Sequence, residues 1–205
     1  NISGSGLDMI DEIRDPQTVP GPYTHFICVE RYNSLEDVRY EETVRSLYNY
    51  IGLVIQGNAD AELYFYTPWK EYNLNGSSAA NPAIWVTFTQ AEGQFWECIG
   101  ARINDTLAQR GVTYRVKTLP SGAALAYLVN NATTGTVTDI TQGSVTATMN
   151  LLFSDAVHLT NIGKYFEACV IHAATVGDPR PLPTVSGVTS GQATTLQDQA
   201  WAIID

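Results

Sequence analysis

Basic residues are scarce in this chain. Lys and Arg together number 11 against 21 Asp and Glu, so the 205 residues carry a formal net charge of −10. A protein that binds nucleic acid needs a basic patch facing the phosphates. Long apolar runs are also missing, because no stretch approaches the length of a membrane span. We therefore expect no nucleic-acid partner and no membrane span.

Cysteine and histidine are equally rare, with three of each. Three cysteines cannot form a disulfide framework. Cys28 lies in a strand pattern and Cys169 on the apolar side of a helical pattern, which favours buried free thiols, although one disulfide with a leftover thiol stays open. The histidines are far apart, and neither Cys-x-x-Cys nor a Gly-rich phosphate-binding loop occurs. We expect no metal site, no bound nucleotide and no organic cofactor.

Apolar residues, in contrast, make up 44% of the chain, so a sizeable core can form. Apolar and β-branched runs predict strands over residues 24–30, 61–67 and 112–117. Apolar residues at helical spacing predict helices over residues 39–56, 88–109, 122–130 and 160–174. Two stretches are predicted to be irregular: a loop over 70–85, and a Thr- and Gly-rich insert with a hairpin over 132–149.

Strands and helices alternate along the chain, which is the order of a doubly wound sheet. We therefore predict an α/β fold, a three-layer α/β/α sandwich with a mainly parallel sheet, in one domain over residues 1–180. Residues 178–193 are rich in Pro, Gly and Ser and indicate a surface segment. Residues 181–205 are accordingly predicted to be a C-terminal surface extension with a short helix at 194–204.

The most informative stretch of the sequence runs from Phe153 to Gly163. It places a carboxylate, Asp155, three residues before a histidine, His158, on the lead-in to an amphipathic helix. Thr160 is the expected N-cap of that helix. Loops often present catalytic groups, and an Asp beside a His can hold the imidazole in one tautomer and stabilise the imidazolium. We predict that His158 and Asp155 act together in catalysis.

The ends of the predicted strands offer further candidates for this site. Ligands of doubly wound sheets bind beyond the carboxyl ends of the strands. Residues 30–33, 67–69 and 118–120 follow the three strands, so we expect them to meet near His158. Trp69 is open to two interpretations, an aromatic platform for a sugar or acyl chain, or packing in the core or at the rim. His25 and His172 are predicted to be structural.

The block Leu-Phe-Ser-Asp-x-Val-His-Leu-Thr-x-x-Gly resembles the last motif of the SGNH/GDSL hydrolases. This resemblance implies an SGNH/flavodoxin-like fold and hydrolysis of an ester by a Ser-His-Asp triad. The expected substrate is a small acyl ester, either an acylated glycan such as an acetylated carbohydrate or a lipid. His158 would be the general base, Asp155 would orient it, and the family needs neither metal nor organic cofactor.

The family's third motif supplies an Asn whose side chain helps to form the oxyanion hole. The resemblance places Asn33 in that position, directly after the first predicted strand. Arg31 and Ser34 depart from the family pattern of Gly-x-Asn-Asp, and Glu30 is an alternative occupant of the same place. The alternative interpretation, of equal weight, is that Asn33 is a loop residue that caps the next helix.

The family's first motif, an apolar strand followed by the nucleophilic serine, has no clear counterpart. The opening Asn-Ile-Ser-Gly-Ser-Gly resembles the second motif better, which would make Gly4 or Gly6 a backbone donor to the oxyanion. In the rival interpretation, Ser3 or Ser5 is the nucleophile. On the first interpretation the central strand is missing, so we expect an N-terminal segment or another chain to complete the sheet.

A second function, from a different class, follows from these departures. The chain could be a catalytically inactive SGNH-like domain that serves as an extracellular binding or assembly module. Few Lys, abundant Thr, Asn, Gly and Tyr, and excess acidic residues are typical of extracellular or periplasmic proteins. A motif upstream with Gly-Asp-Ser or Gly-Asn-Ser after an apolar strand would favour the enzyme.

Overall fold

The computed structural model describes residues 23–29, 36, 38–39, 42–72, 81–177 and 180–204. Over these residues the chain is an α/β protein with one small parallel sheet and six helices. The strands are β1 (His25–Val29), β2 (Glu62–Tyr66) and β3 (Val116–Leu119). The helices are α1 (Thr43–Gly57), α2 (Pro82–Gln109), α3 (Ser121–Thr133), α4 (Val145–Leu152), α5 (Asn161–Val176) and α6 (Ser190–Ile204). The predicted α/β class and parallel strands are confirmed.

The strands lie in the order β1-β2-β3, with β2 in the centre. His25 lies opposite Glu62, and Tyr64 lies opposite Lys117, and both pairings are parallel. Parallel neighbours need a crossover connection, and the sequence supplies α1 between β1 and β2, and α2 between β2 and β3. Strand order thus follows chain order throughout the described sheet.

The chain divides into two compact units. The sheet unit comprises Asn1–Tyr66 and Phe95–Leu119, and the helical unit comprises Thr67–Gln94 and Pro120–Asp205. The division falls inside α2, whose first half belongs to the helical unit and whose second half belongs to the sheet unit. This division lies elsewhere in the chain than the predicted domain boundary between residues 180 and 181. The predicted boundary stays a prediction.

The core of the sheet unit lies between one face of the sheet and two helices. Leu63 and Phe65 of β2 point to this core, where the Phe65 and Trp96 rings meet edge to face at 5.3 Å. The helices contribute Leu47, Ile51, Val54, Ile103 and Leu107. Asn104 of α2 clamps β3, because its side chain both donates to the Val116 carbonyl and accepts from the Val116 N–H, each at 2.9 Å.

The core of the helical unit is formed by α3, α4, α5 and α6. Buried apolar residues of these helices are Leu125, Leu128, Val129, Met149, Leu152, Phe166, Val170, Leu196 and Trp201. Burial of such side chains contributes about 1.5–3 kcal/mol each before entropy is counted. Helix α6 therefore supplies core residues to this unit, in a part of the chain that was predicted to extend over the surface.

The predicted hairpin within residues 132–149 is wrong. Turns follow α3, and helix α4 then begins after Ser144, whose hydroxyl accepts the Ala147 N–H at 3.2 Å. Thr148, Met149 and Leu152 are buried at helical spacing. This N-cap and the burial that follows it outweigh the β-propensity of the threonines.

Three element boundaries also differ from the sequence prediction. Helix α2 begins at Pro82 rather than 88, because Asn81 caps it by accepting the Ala83 N–H. Helix α6 begins at Ser190 rather than 194, because Thr189 and Gln192 accept each other's backbone N–H in a capping box. Strand β3 occupies 116–119 rather than 112–117, since pairing with β2 begins only at Val116.

Candidate functional site

The segment that carries Asp155 and His158 is a loop closed at both ends. Buried Phe153 and Leu159 form an antiparallel bridge across its base. The N–H and the hydroxyl of Ser154 both donate to the His158 carbonyl, at 2.8 and 3.1 Å. The Thr160 hydroxyl accepts the Gly163 N–H, which confirms Thr160 as the N-cap of α5. The loop thus presents Asp155 and His158 from a fixed base.

Asp155 binds both the backbone and the imidazole. One carboxylate oxygen accepts the N–H of Val157 at 2.8 Å and that of His158 at 2.7 Å. The other lies 2.7 Å from His158 Nδ1. These hydrogen bonds, the backbone ones first, lower the pKa of Asp155 to about 2. Asp155 is therefore a carboxylate at neutral pH and well below it.

The ionised carboxylate determines the tautomer of His158. A carboxylate can only accept hydrogen bonds, so the proton between the two groups lies on Nδ1. Nε2 of the neutral ring then carries the lone pair. Among the described residues none forms a hydrogen bond to Nε2, and the His158 side chain is 77% exposed. Asp155 and His158 thus have the geometry of a histidine oriented by a carboxylate, with the second ring nitrogen open to a reactant.

The middle of the loop is bound to the segment after β2. The Trp69 indole N–H donates to the Val157 carbonyl at 2.9 Å, and the Tyr72 N–H donates to the Ala156 carbonyl at 2.6 Å. The Phe153 ring stacks on Tyr72 at 5.7 Å. Of the two interpretations of Trp69, packing at the rim therefore agrees with the structure, since the indole holds the loop.

Of the predicted strand end at residues 118–120, only Pro120 belongs to the helical unit, and α3 begins directly after it. The Gly122 N–H, at the start of α3, donates to the Thr67 carbonyl at 2.9 Å. A Cβ on Gly122 would collide with the Pro68 carbonyl, so only glycine allows this approach. Residues 67–69 thus contact both the start of α3 and the loop of His158. The third segment, residues 30–33, lies outside the described residues.

The remaining predicted site residues also lie outside the described part of the chain. These are Ser3 and Ser5 as candidate nucleophiles and Gly4, Gly6 and Asn33 as candidate oxyanion donors. Their placement stays a prediction. Within the described residues, the serine nearest to His158 in sequence is Ser154, whose hydroxyl is bound to the His158 carbonyl. Ser154 is therefore not held against Nε2.

The other two histidines occupy different surroundings. His172 stacks obliquely beside Trp201 at 6.1 Å, and its Nε2 is buried, which agrees with a structural role. His25 lies 3.7 Å from Glu62, which also binds Lys117 and the Tyr64 hydroxyl. Hydrogen bonds from Lys117, and then from Tyr64, lower the pKa of Glu62. No sequence pattern indicated this cluster, because its members meet only through the register of the parallel strands.

All three cysteines are free. Cys169 is buried and Cys28 is partly buried, and burial raises the pKa of each thiol to about 11. Cys98 is exposed. The prediction of free thiols is confirmed, with burial at two of the three positions, and neither of the two shifted thiols has the lowered pKa of a nucleophilic cysteine.

No set of three or more His, Cys, Asp or Glu side chains within the described ranges is arranged to hold a metal ion. Of the helices described, none combines the length and apolar character needed to cross a membrane. Comparison of the chain with models of protein families, with curated proteins and with solved structures found no match.

Proposed function

We propose that this chain is a serine esterase of the SGNH type, or the part of one that carries its histidine and aspartate. One observation carries the proposal: His158 Nδ1 lies 2.7 Å from the Asp155 carboxylate, while Nε2 is exposed. The fold proposed with it is a three-layer sandwich around the parallel sheet. The substrates are acyl esters, either acetylated carbohydrate or lipid, and the place of action is extracellular or periplasmic.

In the proposed reaction, His158 Nε2 takes the proton from a serine hydroxyl as the oxygen attacks the ester carbonyl. The carboxylate of Asp155 stabilises the imidazolium through Nδ1. His158 then returns the proton to the leaving alcohol, and water repeats the sequence on the acyl-enzyme. The backbone N–H of Gly4 or Gly6 and the Asn33 amide stabilise the oxyanion. The nucleophile is Ser3, Ser5 or a serine of a further segment or chain that completes the sheet.

A fluorophosphonate probe, read by intact mass and peptide mapping, tests this proposal. We expect a single adduct on one serine of the wild-type protein. The His158→Gln variant should give none, because the serine loses its base, whereas His25→Gln should be labelled as well as wild type. An adduct on Ser3 or Ser5 would identify the nucleophile within this chain.

A second candidate function is a catalytically inactive SGNH-like domain that binds or assembles with other molecules. It is favoured by one observation, that in the described part of the chain no hydroxyl or thiol is hydrogen-bonded to His158 Nε2. Folded wild-type protein that shows no adduct on any serine, alone or with its co-purifying chains, would contradict the esterase and support this module.

A further inference from the structure

A groove runs along the exposed face of α5, in the helical unit. It has a volume of about 360 Å³ and lies between the helix and the turn that precedes α6. The residues that line it are Asn161, Lys164, Tyr165, Ala168, Val185 and Ser186. We call it the α5 groove. Its volume is in the lower part of the range found for small-molecule sites.

The walls of the α5 groove are held from behind by buried hydrogen bonds. Gln197, on α6, donates to the Tyr165 hydroxyl at 2.8 Å and accepts the Leu182 N–H at 3.1 Å. These bonds link α5, α6 and the segment that leads to Val185. At the mouth, Gly187 packs against Asn161, and a Cβ added to Gly187 would lie in ordinary van der Waals contact, 3.6 Å from the Asn161 amide nitrogen. The groove is therefore preformed.

The chemistry of the α5 groove is divided between floor and rim. The Tyr165 ring, Ala168 and Val185 offer apolar surface, and Val185 is 48% exposed. At the rim, the ammonium of Lys164 has no carboxylate partner among the described residues. An ammonium without a carboxylate partner, beside apolar surface, favours a ligand that carries a negative charge of its own.

The groove also begins close to His158. Asn161, the first residue of α5, lies three positions after the histidine, so their Cα atoms are no more than about 11 Å apart. Asn161, Lys164 and Ala168 then follow one another along one side of the helix. An acyl chain of eight carbon atoms is of about the same length as this separation of the Cα atoms.

From these observations we infer that the α5 groove binds the apolar arm of the ester substrate, and that Lys164 pairs with an anionic group on that arm. The substrate is then an amphiphilic ester, rather than an acetylated carbohydrate whose acyl group would leave the groove empty. This inference rests on the proposed function, and it adds which part of the substrate binds where.

Binding of octanoate to the full chain at low ionic strength, followed by calorimetry, tests the groove without requiring catalysis. Octanoate has an apolar body and one carboxylate. We expect saturable binding of octanoate and no binding of acetate. Octanol should bind about three- to five-fold more weakly than octanoate, because a partly exposed ion pair contributes no more than this to affinity. Absence of saturable octanoate binding would overturn the inference.

Two substitutions locate the ligand. Ala168→Trp places an indole in the groove and should weaken octanoate binding by at least about ten-fold. Ala101→Trp, on an exposed face of α2, is the matched control and should bind normally. Lys164→Gln should remove the preference for octanoate over octanol, whereas Arg102→Gln, which deletes an exposed positive charge elsewhere, should keep it. If Ala168→Trp misfolds, Val185→Glu serves instead, because it adds a negative charge to the same wall.

Two further readouts separate this inference from the proposed function. The His158→Gln variant should bind octanoate as well as wild type, even though it cannot cleave esters. In active protein, Ala168→Trp should lower the ratio of kcat/KM for an octanoyl ester to kcat/KM for an acetyl ester. Octanoate binding that Ala168→Trp does not weaken would overturn the inference. A dimer in sedimentation that Ala168→Trp dissociates would also overturn it, because a second copy of the chain would then cover the groove.

Discussion

Each unit of this protein holds a histidine beside a carboxylate, and the two pairs differ in what else the carboxylate binds. In the helical unit, Asp155 accepts two backbone N–H groups and His158 Nδ1. In the sheet unit, Glu62 binds Lys117 and Tyr64, and His25 lies farther away at 3.7 Å. Only the first pair therefore fixes the tautomer of its histidine.

A histidine that lies close to a carboxylate is not for that reason alone a general base. Lys117 neutralises Glu62, so little of its charge is left to polarise His25. In His25, moreover, Nδ1 is 2.9 Å from the Thr24 hydroxyl, and Nε2 is 3.7 Å from Glu62, beyond hydrogen-bond distance, so no carboxylate holds a ring proton. His158 has one nitrogen bound and one exposed, which is the arrangement that general-base catalysis requires.

The largest effect should come from removing each imidazole. We expect His158→Gln to lower the rate of p-nitrophenyl acetate hydrolysis by about 10²–10⁴-fold, the usual contribution of a general base. His25→Gln should leave the rate unchanged. Steady-state kinetics on the purified variants measures both. Equal losses from the two substitutions would remove the functional distinction between the pairs.

Removing each carboxylate charge should have the next largest effect. In Asp155→Asn the amide can still accept a backbone N–H, but its NH₂ group would face Nδ1 and move the ring proton to Nε2. We expect a loss of about 10²-fold in kcat/KM, since Nε2 is then no longer a base. Nitrogen-15 NMR of the imidazole should report the change of tautomer. Glu62→Gln is the matched control and should leave kcat/KM unchanged. If His158 stays protonated at Nδ1 in Asp155→Asn, the role assigned to Asp155 is refuted.

A smaller effect should follow from loosening the loop that holds the first pair. Trp69→Phe deletes the indole N–H that binds the Val157 carbonyl. We expect the free energy of unfolding to fall by about 1 kcal/mol, the net value of one hydrogen bond, with faster amide exchange within residues 153–160. Urea denaturation and hydrogen exchange measure these changes. The matched control is Tyr64→Phe, which removes a hydrogen-bond donor to Glu62 in the other pair. It should leave amide exchange within residues 153–160 as in wild type.

The difference between the pairs also explains what the sequence could predict. Asp155, His158 and Thr160 lie within six residues, so one turn of chain brings them together and the contact can be inferred locally. Glu62 and Lys117 are 55 residues apart, and they meet only because of the register of the parallel strands. No local pattern specifies that register, so the second cluster was missed.

The starts of α4 and α6, which differ from the sequence prediction, also carry local signals. The box formed by Thr189 and Gln192 marks the start of α6, and Ser144 marks that of α4. Composition outweighed these caps in the prediction, because Thr and Gly suggested strands and turns. A cap followed by buried residues at helical spacing is the stronger physical signal, since it satisfies the backbone N–H groups that a helix start leaves unpaired.

The smallest effect concerns acid titration of the two carboxylates. The pKa of Asp155 is lowered to about 2, so the stability it contributes is present above its unfolded pKa near 3.8 and is lost as the pH falls towards 2. We expect a carbon-13 NMR titration midpoint of about 2 for Asp155. The hydrogen bond from Lys117 is the largest cause of the lowered pKa of Glu62. Lys117→Met removes this bond, so it should raise the pKa of Glu62 and leave the pKa of Asp155 unchanged. An Asp155 midpoint near 3.8 would mean that neither the backbone N–H groups of Val157 and His158 nor the His158 side chain bind the carboxylate.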